Sequence, residues 1–416
     1  MDIRSLKSII ETEANKSLEE ISIIELVHNL IKYSYKARAS DIHIDPQENE
    51  IVVRARIDGI LNKIFTFKKE IQDEIITRIK ILSGLRTDEH NTPQDGRFKF
   101  FDPIENIKFD IRVSVMPTYY GENAVLRLLT SKEDSFTLET LGFSEQDLDK
   151  VQKAIQKPYG MILVTGPTGS GKTTTLYAIL KALNKESVSI VTLEDPVEYS
   201  IPGITQIQVN PQVGLVFSKG LRAILRQDPN IIMVGEIRDQ ETADIAVNAA
   251  LTGHLLLSTL HTNDAPTALP RLLEMGTEPF LIASTLNIVI AQRLVRKICE
   301  KCKTEIKLKK TEILSVLESI GYDLTIENIK KIKDSKFYKG NGCEICNGTG
   351  YYGRLGIFEV LNISDKIRDA IMKRANSDVI KSIAIKEGMT TMVQDGFSKV
   401  LKGLTTIEDL LRVIHE

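Results

Sequence analysis

The stretch MILVTGPTGSGKTTTLYAILKAL, residues 161–183, places a glycine-rich loop between an apolar run and a helical period. Residues 166–173, called the phosphate loop below, fit the pattern G-x-x-x-x-G-K-[ST], whose backbone N–H groups turn inward around a phosphate. We predict that Lys172 reaches the β- and γ-phosphates and that the Thr173 hydroxyl holds Mg²⁺. A turn without a ligand is the alternative, but all fixed positions are filled. The predicted nucleotide-binding residues of this stretch are Gly166, Pro167, Thr168, Gly169, Ser170, Gly171, Lys172, Thr173 and Thr174.

Outward from this loop, short apolar runs alternate with helical stretches. The runs cover residues 161–165, 189–193, 231–234 and 255–259. Such alternation is typical of a parallel sheet with crossover helices. We therefore predict an α/β domain over residues 141–416, with a helical tail at 360–416.

The region before the phosphate loop follows another pattern. Apolar residues at helical spacing occupy 21–35, and residues 70–82 predict a second helix. A turn at Asp58-Gly59 joins two strand-like runs, and three more runs follow at 97–101, 108–116 and 122–129. We predict an N-terminal tail at 1–20, an α+β domain at 21–130 and a polar linker at 131–140.

Composition excludes several classes of protein. Of the 416 residues, 42% are hydrophobic and 26% are charged, which excludes a mainly disordered or collagen-like chain. The net charge of −2 argues against general capture of nucleic acid, so no nucleic-acid partner is expected. No apolar run of about 18 residues occurs, and the first residues lack a signal-peptide core. We expect a cytoplasmic protein.

Acidic residues follow two of the predicted strands. Glu194, Asp195 and Glu198 come after the run at 189–193, and Glu236 comes after the run at 231–234. Because the carboxyl ends of parallel strands meet at one edge, these acids would face the phosphate loop. One carboxylate would order Mg²⁺ and another would accept a proton from water. Solvated loop acids are the alternative for either group alone.

Two histidines bracket the run at 255–259. His254 precedes it and His261 follows it. His261 lies at the predicted carboxyl end of the strand, where it could sense the γ-phosphate. A capping or packing histidine explains the same positions equally well.

The four cysteines form two close pairs, Cys299-x-x-Cys302 and Cys343-x-x-Cys346. Paired C-x-x-C is the spacing of a tetrahedral Zn²⁺ site with four thiolates. A closed shell of this kind is structural, and binding would contribute about 10–16 kcal/mol to local folding. A redox dithiol and unrelated core cysteines are the alternatives. We predict a zinc module at 297–348.

The segment between the cysteine pairs is basic. Residues 296–339 contain 12 Lys or Arg and 7 Asp or Glu, a local charge of +5. A solvated arm is one interpretation. The other is contact with anionic lipid headgroups or an acidic loop of a membrane partner.

Four motifs in order resemble a known family. GPTGSGKTTTLYA, VTLEDPVEY, LRAILRQDPNIIMVGEIRD and TGHLLLSTLHTNDA are similar to the Walker A, Asp box, Walker B and His box of the secretion ATPases that serve type II secretion and type IV pilus assembly. The upstream segment ASDIHIDP, residues 39–46, resembles a signature of the same family. The resemblance covers roughly residues 20–416.

This resemblance implies a hexameric ATPase at the cytoplasmic face of the inner membrane, working with a membrane platform protein. It implies a PAS-like N-terminal domain and a RecA-like domain that uses ATP and Mg²⁺. Glu198 would be the catalytic base and Glu236 the Walker B acid near Mg²⁺, with Glu194 and His261 at the nucleotide. Basic residues that match the family's phosphate-contacting positions are Arg97, Arg112, Arg222, Arg226 and Arg238.

Within the family, the cysteine module favours an assembly or secretion ATPase over a pilus retraction ATPase. The resemblance does not separate secretion, pilus assembly and competence. A DNA-translocating or conjugation ATPase and a nucleotide-binding scaffold without turnover are the rival functions. Only about 20 residues precede the predicted α+β domain, whereas many members carry a further domain there.

Overall fold

The computed structural model describes residues 2–129, 136–307 and 335–415, with isolated positions between 309 and 332. It divides into two compact units, Met1–Asp134 and Ser135–Glu416. The second half of the predicted linker lies in the second unit, where Leu138 is buried in a short 3-10 turn, Leu138–Thr140. Residues 130–135, which hold the first half, lie outside the described residues.

The first unit is a sheet covered by helices. Its described strands form one antiparallel sheet in the order β3-β2-β1-β6-β5-β4. Alternating residues of the strands, such as Ile42, Ile44 and Val113, face a hydrophobic core shared with the helices. The elements are α1 Ile3–Ala14, α2 Ile23–Lys36, β1 Ala39–Pro46, β2 Glu50–Ile57, β3 Ile60–Lys68, α3 Gln72–Ser83, β4 Gln94–Asp102, β5 Ile107–Thr118 and β6 Gly121–Leu129.

The sequence patterns of this unit hold up in the structure. The predicted helix at 70–82 is α3, and the predicted hairpin turn has Asp58 and Gly59 both at positive φ. Two consecutive residues at positive φ are the geometry that a tight two-residue hairpin requires. The tail at 1–20 contains an amphipathic helix, α1, with Leu6 and Ile10 buried.

The second unit has a sheet in the order β15-β12-β7-β11-β10-β8-β9 among the described residues. All neighbouring pairs are parallel except β15 against β12. Along β7, Met161 and Leu163 pack on one face, whereas Ile162 and Val164 pack on the other. Helices therefore cover both faces, which confirms the predicted α/β class.

The elements of this unit include the predicted apolar runs as central strands. They are α4 Glu145–Ile155, β7 Gly160–Thr165, α5 Lys172–Leu183, β8 Ile190–Glu194, β9 Thr205–Gln208, α6 Phe217–Ile224, β10 Ile231–Val234, α7 Gln240–Leu251, β11 Leu255–Leu260, α8 Ala268–Glu274, α9 Pro279–Thr285, β12 Leu286–Ile298, β13 Lys303–Ile306, β14 Phe337–Gly340, β15 Tyr351–Asn362, α10 Asp365–Met372, α11 Ser377–Lys386, α12 Met392–Leu401 and α13 Ile407–His415.

Two long strands were not predicted from the sequence. β12 and β15 pair antiparallel and close one side of the sheet, so the tail at 360–416 begins within a strand rather than a helix. Four helices follow it, as the tail prediction expected. Within the described ranges, no helix combines the length and apolar character that a bilayer-spanning segment needs.

Candidate functional site

Four loops meet at the carboxyl edge of the second unit's sheet. The phosphate loop follows β7, the segment at 195–199 follows β8, Gly235 and Glu236 follow β10, and His261 follows β11. These strands are neighbours in the parallel order β7-β11-β10-β8. The crevice outside the carboxyl ends of such strands is where parallel α/β sheets bind ligands.

The phosphate loop closes around its own lysine. Lys172 Nζ donates to the carbonyl oxygens of Gly166 at 2.8 Å and Pro167 at 3.1 Å. Gly169 and Gly171 have positive φ. This conformation lets the loop turn so that its N–H groups can converge on one point before α5 begins at Lys172. Burial lowers the pKa of Lys172, and the Glu236 carboxylate opposes this shift. The loop and the helix N-terminus together fit the phosphate groups of a nucleotide.

β12, a strand that the sequence did not predict, holds the phosphate loop and the start of α5 through one side chain. Gln292 on β12 donates through Nε2 to the Ser170 carbonyl at 2.7 Å and accepts from the Thr175 hydroxyl at 2.7 Å. A Cβ at Gly166 would lie 2.4 Å from the Gln292 carbonyl oxygen, so only glycine fits there. Gln292 is fully buried, and no local motif marks it in the sequence.

Glu194, at the end of β8, lies in a buried polar network. It is 3% exposed and accepts hydrogen bonds from the Tyr177 hydroxyl, from Thr192 Oγ1 at 2.6 Å and from Gln206 Nε2 at 3.2 Å. Burial raises the pKa of Glu194, while the three donors oppose that shift. The structure therefore places Glu194 inside the domain, where protein donors surround its oxygens.

Glu198, the predicted base, is in a different environment. It is half-buried, and its backbone N–H donates to the Tyr177 hydroxyl at 3.3 Å. Tyr177 is fully buried on α5, one turn beyond the phosphate loop. One hydroxyl thus connects the helix after the phosphate loop to both glutamates of the Asp box.

Glu236 connects the remaining predicted groups. Its Oε1 lies 2.5 Å from Arg238 Nη2, and its Oε2 lies 3.2 Å from His261 Nε2. The hydrogen bond to Glu236 raises the pKa of Arg238. Glu236 is 9% exposed, whereas the His261 and Arg238 side chains reach solvent. His254, in contrast, caps the preceding helix through the Ala249 carbonyl at 3.0 Å.

The ends of β7 and β11 are tied together beside these groups. Thr165 Oγ1 lies 2.6 Å from Thr262 Oγ1 and accepts from the Thr262 N–H at 2.9 Å. The hydroxyl of Thr259 donates to the Gly235 carbonyl at 2.7 Å. These bonds fix the loop that carries His261 against the loops that carry Lys172 and Glu236.

The other predicted arginines are more dispersed. Arg222 on α6 pairs with Glu241 on α7 at 2.6 Å, and Arg226 donates to the Arg222 carbonyl at 3.0 Å. Both side chains are exposed. Arg97 and Arg112 belong to the first unit, where they are register partners on β4 and β5.

The four cysteines form a second candidate site. Their sulfur atoms all lie within 4.8 Å of one another, with Cys299–Cys343 and Cys302–Cys346 each 3.8 Å apart. A tetrahedron with Zn–S bonds of about 2.3 Å has sulfurs about 3.8 Å apart. Burial alone would raise the pKa of the Cys346 thiol, but hydrogen bonds from the N–H groups of Cys343 and Gly350 lower that pKa. The cluster therefore fits a metal ion held by thiolates.

Comparison with known proteins shows which family the chain resembles. The family model described as "Type II/IV secretion system protein" matches residues 16–412. The chain is 47% identical over 401 residues to a type IV pilus assembly ATPase PilB of Thermus thermophilus, covering 96% of this chain and 44% of that protein. It is 44% identical over 398 residues to a type II secretion system protein E of Aeromonas hydrophila, covering 96% and 77%. The chain thus spans less than half the length of the Thermus relative.

Solved structures show the same fold. An ATPase DotB of Legionella pneumophila superposes with a TM-score of 0.65 at 22% identity, covering 93% of this chain and 94% of that one. The pilus retraction motor PilT with bound ADP superposes with a TM-score of 0.61 at 26% identity, covering 93% and 96%. These likenesses confirm the predicted RecA-like ATPase fold.

Proposed function

The chain belongs to the type II/IV secretion system protein family, and from that premise we propose that it hydrolyses ATP to power assembly of a pilus or pseudopilus. One observation carries the proposal: the loops that hold Lys172, Glu198 and Glu236 meet at one edge of the sheet. Family relatives named as pilus assembly and type II secretion ATPases support the same function.

The chemistry of the reaction assigns a role to each side chain. Lys172 exchanges its loop carbonyl partners for the β- and γ-phosphate oxygens when ATP enters. The Thr173 hydroxyl and Glu236 would hold Mg²⁺, which supplies positive charge at the phosphates. Glu198 accepts a proton from the attacking water. His261, which lies 3.2 Å from Glu236, would face the γ-phosphate.

The arginines complete the charge balance. Transition-state charge on the γ-phosphate is stabilised by cations, and one arginine finger is worth about 10³–10⁵ in rate. Arg97 and Arg112 serve this purpose from the first unit, as the family resemblance implies. Arg238 is already held near the site by Glu236. Arg222 and Arg226 leave their contacts on α6 and α7 to reach phosphate.

Assembly is favoured over retraction by two observations. The assembly and secretion relatives are 43–47% identical to the chain, whereas the PilT retraction motor is 26% identical. The cysteine cluster supports the same choice, and we assign Zn²⁺ to it because four thiolates at tetrahedral spacing prefer that ion. Its role is structural, since four protein ligands leave no open position.

We also propose that six copies form a ring at the cytoplasmic face of the inner membrane, where they act on a platform protein. The family resemblance supports this arrangement. We further propose that the basic segment at 296–339 contacts anionic lipid. Residues 310–312 and 323–331 of that segment lie outside the described residues. The net charge of −2 disfavours the rival DNA-translocating function.

Steady-state phosphate release tests the proposed activity. Lys172→Ala and Glu236→Ala should each lower kcat at least about 100-fold, because Lys172→Ala removes a cation from the phosphates and Glu236→Ala removes a carboxylate that would hold Mg²⁺. Glu236→Ala should keep nucleotide binding. The exposed Lys185 and Glu274 provide matched controls, and Lys185→Ala and Glu274→Ala should stay within about twofold of wild type. Wild-type turnover in either site variant would refute the catalytic assignment.

A further inference from the structure

Glu359 is a buried carboxylate on β15, a strand that the sequence did not predict. It is 2% exposed, and its register partner on β12 is Ala291. Among the described residues no cation forms an ion pair with it, and its hydrogen-bond donors are the backbone N–H groups of Ala265 and Met392. A carboxylate without an ion pair is costly to take out of water, so Glu359 is expected to have a task that an apolar residue could not perform.

The charges around Glu359 are consistent with such a cost. Burial raises the pKa of Glu359, and the nearby Asp264 carboxylate raises it further. The N–H groups of Ala265 and Met392 and the more distant charge of Lys381 oppose this shift. The two N–H groups are therefore the direct contacts that favour the ionised carboxylate in the interior.

The contact to Ala265 leads to the phosphate loop. The Ala265 N–H donates to Glu359 Oε1 at 3.0 Å. The carbonyl of the same peptide group, which belongs to Asp264, accepts from the Thr262 hydroxyl at 3.0 Å. That hydroxyl lies 2.6 Å from the hydroxyl of Thr165, the last residue before the loop. Because hydrogen bonds in a chain polarise one another, these groups are coupled from the carboxylate to the end of β7.

His261 lies directly beside this chain. It precedes Thr262, and its Nε2 is 3.2 Å from the Glu236 carboxylate. The His261 side chain is 50% exposed, so packing restrains it less than it restrains a buried side chain. Its backbone is restrained by β11 on one side and by the bonded Thr262 on the other. Loss of the Glu359 carboxylate would release the 264–265 peptide group and weaken the second restraint.

The other oxygen of Glu359 contacts the helical tail. Met392 is the first residue of α12, and its N–H donates to Glu359 Oε2 at 3.4 Å. The first N–H groups of a helix have no partner within the helix, and a negative charge is favourable at that end. One carboxylate thus joins the loop after β11 to the tail that follows β15.

We propose that Glu359 is a positioning residue of the ATPase site, where it holds the loop after His261 so that His261 stays at the γ-phosphate. The inference rests on the proposed ATP hydrolysis and adds a residue from outside the four motifs that mark the family. Misplacement of a group by about 1 Å can cost about 100-fold in rate, so a restraint on one peptide group is sufficient for a large effect.

Kinetics of the full chain test this role. Glu359→Met keeps the length of the side chain and removes both carboxylate oxygens. It should lower kcat about 10–100-fold and change KM less than about threefold, because the displaced group acts in the transition state. In a His261→Gln background the same change should cost less than about threefold, because Glu359 acts through His261. An equal loss in both backgrounds would mean a purely structural role and would overturn the inference.

The chain offers a matched control at the same end of α12. The Thr391 hydroxyl accepts from the Gln394 N–H at 3.3 Å and caps the helix beside Met392. Thr391→Ala weakens this helix end and leaves the loop at 262–265 in contact with Glu359. It should lower Tm yet keep kcat within about twofold of wild type. A loss of kcat equal to that of Glu359→Met would assign the effect to the helix end and overturn the inference.

Hydrogen exchange measures the loop without nucleotide. Glu359→Met should speed exchange in the peptide covering residues 261–267 by at least about 10-fold, because a hydrogen bond to a charged group is lost. Thr391→Ala should leave exchange there unchanged. Unchanged exchange in Glu359→Met would overturn the inference.

The remaining outcomes separate this inference from the proposed function. If wild type hydrolyses ATP and Glu359→Met does so equally well, the inference is wrong while the function stands. If wild type fails to hydrolyse ATP, the function is wrong, and exchange at 261–267 still decides whether Glu359 holds the loop. Glu359→Leu replaces Glu359→Met in each measurement if the latter fails to fold. Failure of both to fold would make Glu359 a structural residue of the whole unit and overturn the inference.

Discussion

Replacing Tyr177 with phenylalanine removes one hydroxyl from the centre of the Asp box. The ring stays, with its edge-to-face contact to Tyr199 at 4.7 Å. What is lost is the donor to the Glu194 carboxylate and the acceptor for the Glu198 N–H and for Gln206 Nε2. The variant therefore separates the polar role of Tyr177 from its packing.

The magnitude follows from burial. Glu194 is 3% exposed, so water cannot replace the missing donor. A hydrogen bond to a charged group is worth about 1.5–3 kcal/mol, and we expect a loss of about 2 kcal/mol in the free energy of unfolding. At about 2–4 °C per kcal/mol, this lowers the Tm of the second unit by about 4–8 °C. Because Glu198 also loses its anchor, kcat should fall about 10-fold, which is ~1.4 kcal/mol of barrier.

The effect should depend on pH in a defined direction. Burial already raises the pKa of Glu194 above its ordinary value of 4.5, so the folded state binds the proton more tightly than the unfolded state. Stability therefore falls as pH rises from the unfolded pKa through the folded one. Loss of the Tyr177 donor raises the folded pKa further. The stability loss in Tyr177→Phe should be small near pH 4.5 and full near pH 8.

Differential scanning calorimetry of the full chain at these two pH values measures the effect, with phosphate release measured in parallel. Tyr159→Phe is the control, because the Tyr159 ring is 54% exposed in the same unit. Its Tm should change by less than about 1 °C. A Tyr177→Phe loss of equal size at both pH values would refute the role of Glu194. An unchanged kcat would refute the positioning of Glu198.

The two remaining predictions concern the metal and the first unit. Purified chain should contain about one Zn²⁺ per subunit by elemental analysis, and Cys302→Ser should release it while nucleotide binding survives; alkylation of all four thiols without chelator would contradict the site. A fragment starting at residue 136, which retains the buried Leu138, should bind nucleotide yet lose about 10³-fold or more in kcat, because Arg97 and Arg112 are absent. Hydrolysis by this fragment at the full-length rate would contradict the dependence on the first unit.

The sequence was most informative where one local pattern determines one element. The apolar runs at 161–165 and 231–234 are central strands, and the loop pattern at 166–173 lies between β7 and α5 as expected. Residues at the carboxyl ends of these strands are brought together because parallel strands must share an edge. The meeting of Lys172, Glu236 and His261 followed from that topology alone.

Contacts between distant segments could not be predicted in the same way. Both faces of β12 are buried, so polar and apolar residues alternate only weakly along it. The sequence LNIVIAQRLVRKI is therefore compatible with a strand or a helix. β12 pairs with β15, which lies beyond the basic segment at 296–339 in the sequence. Gln292 reaches the phosphate loop because β12 also pairs with β7, the strand before that loop, and no spacing in the chain relates Gln292 to Ser170.

The two glutamates of the Asp box show why residue type and position alone do not assign a role. Glu194 and Glu198 are four positions apart in one motif, and the sequence placed both at the nucleotide. The strand carries Glu194 into the interior, where three donors surround it and burial raises its pKa. Glu198 lies beyond the strand end, and its backbone N–H donates to the Tyr177 hydroxyl at 3.3 Å. In the proposed function the Glu198 carboxylate accepts a proton from water while Glu194 holds Tyr177 in place, and Tyr177→Phe tests this division of roles.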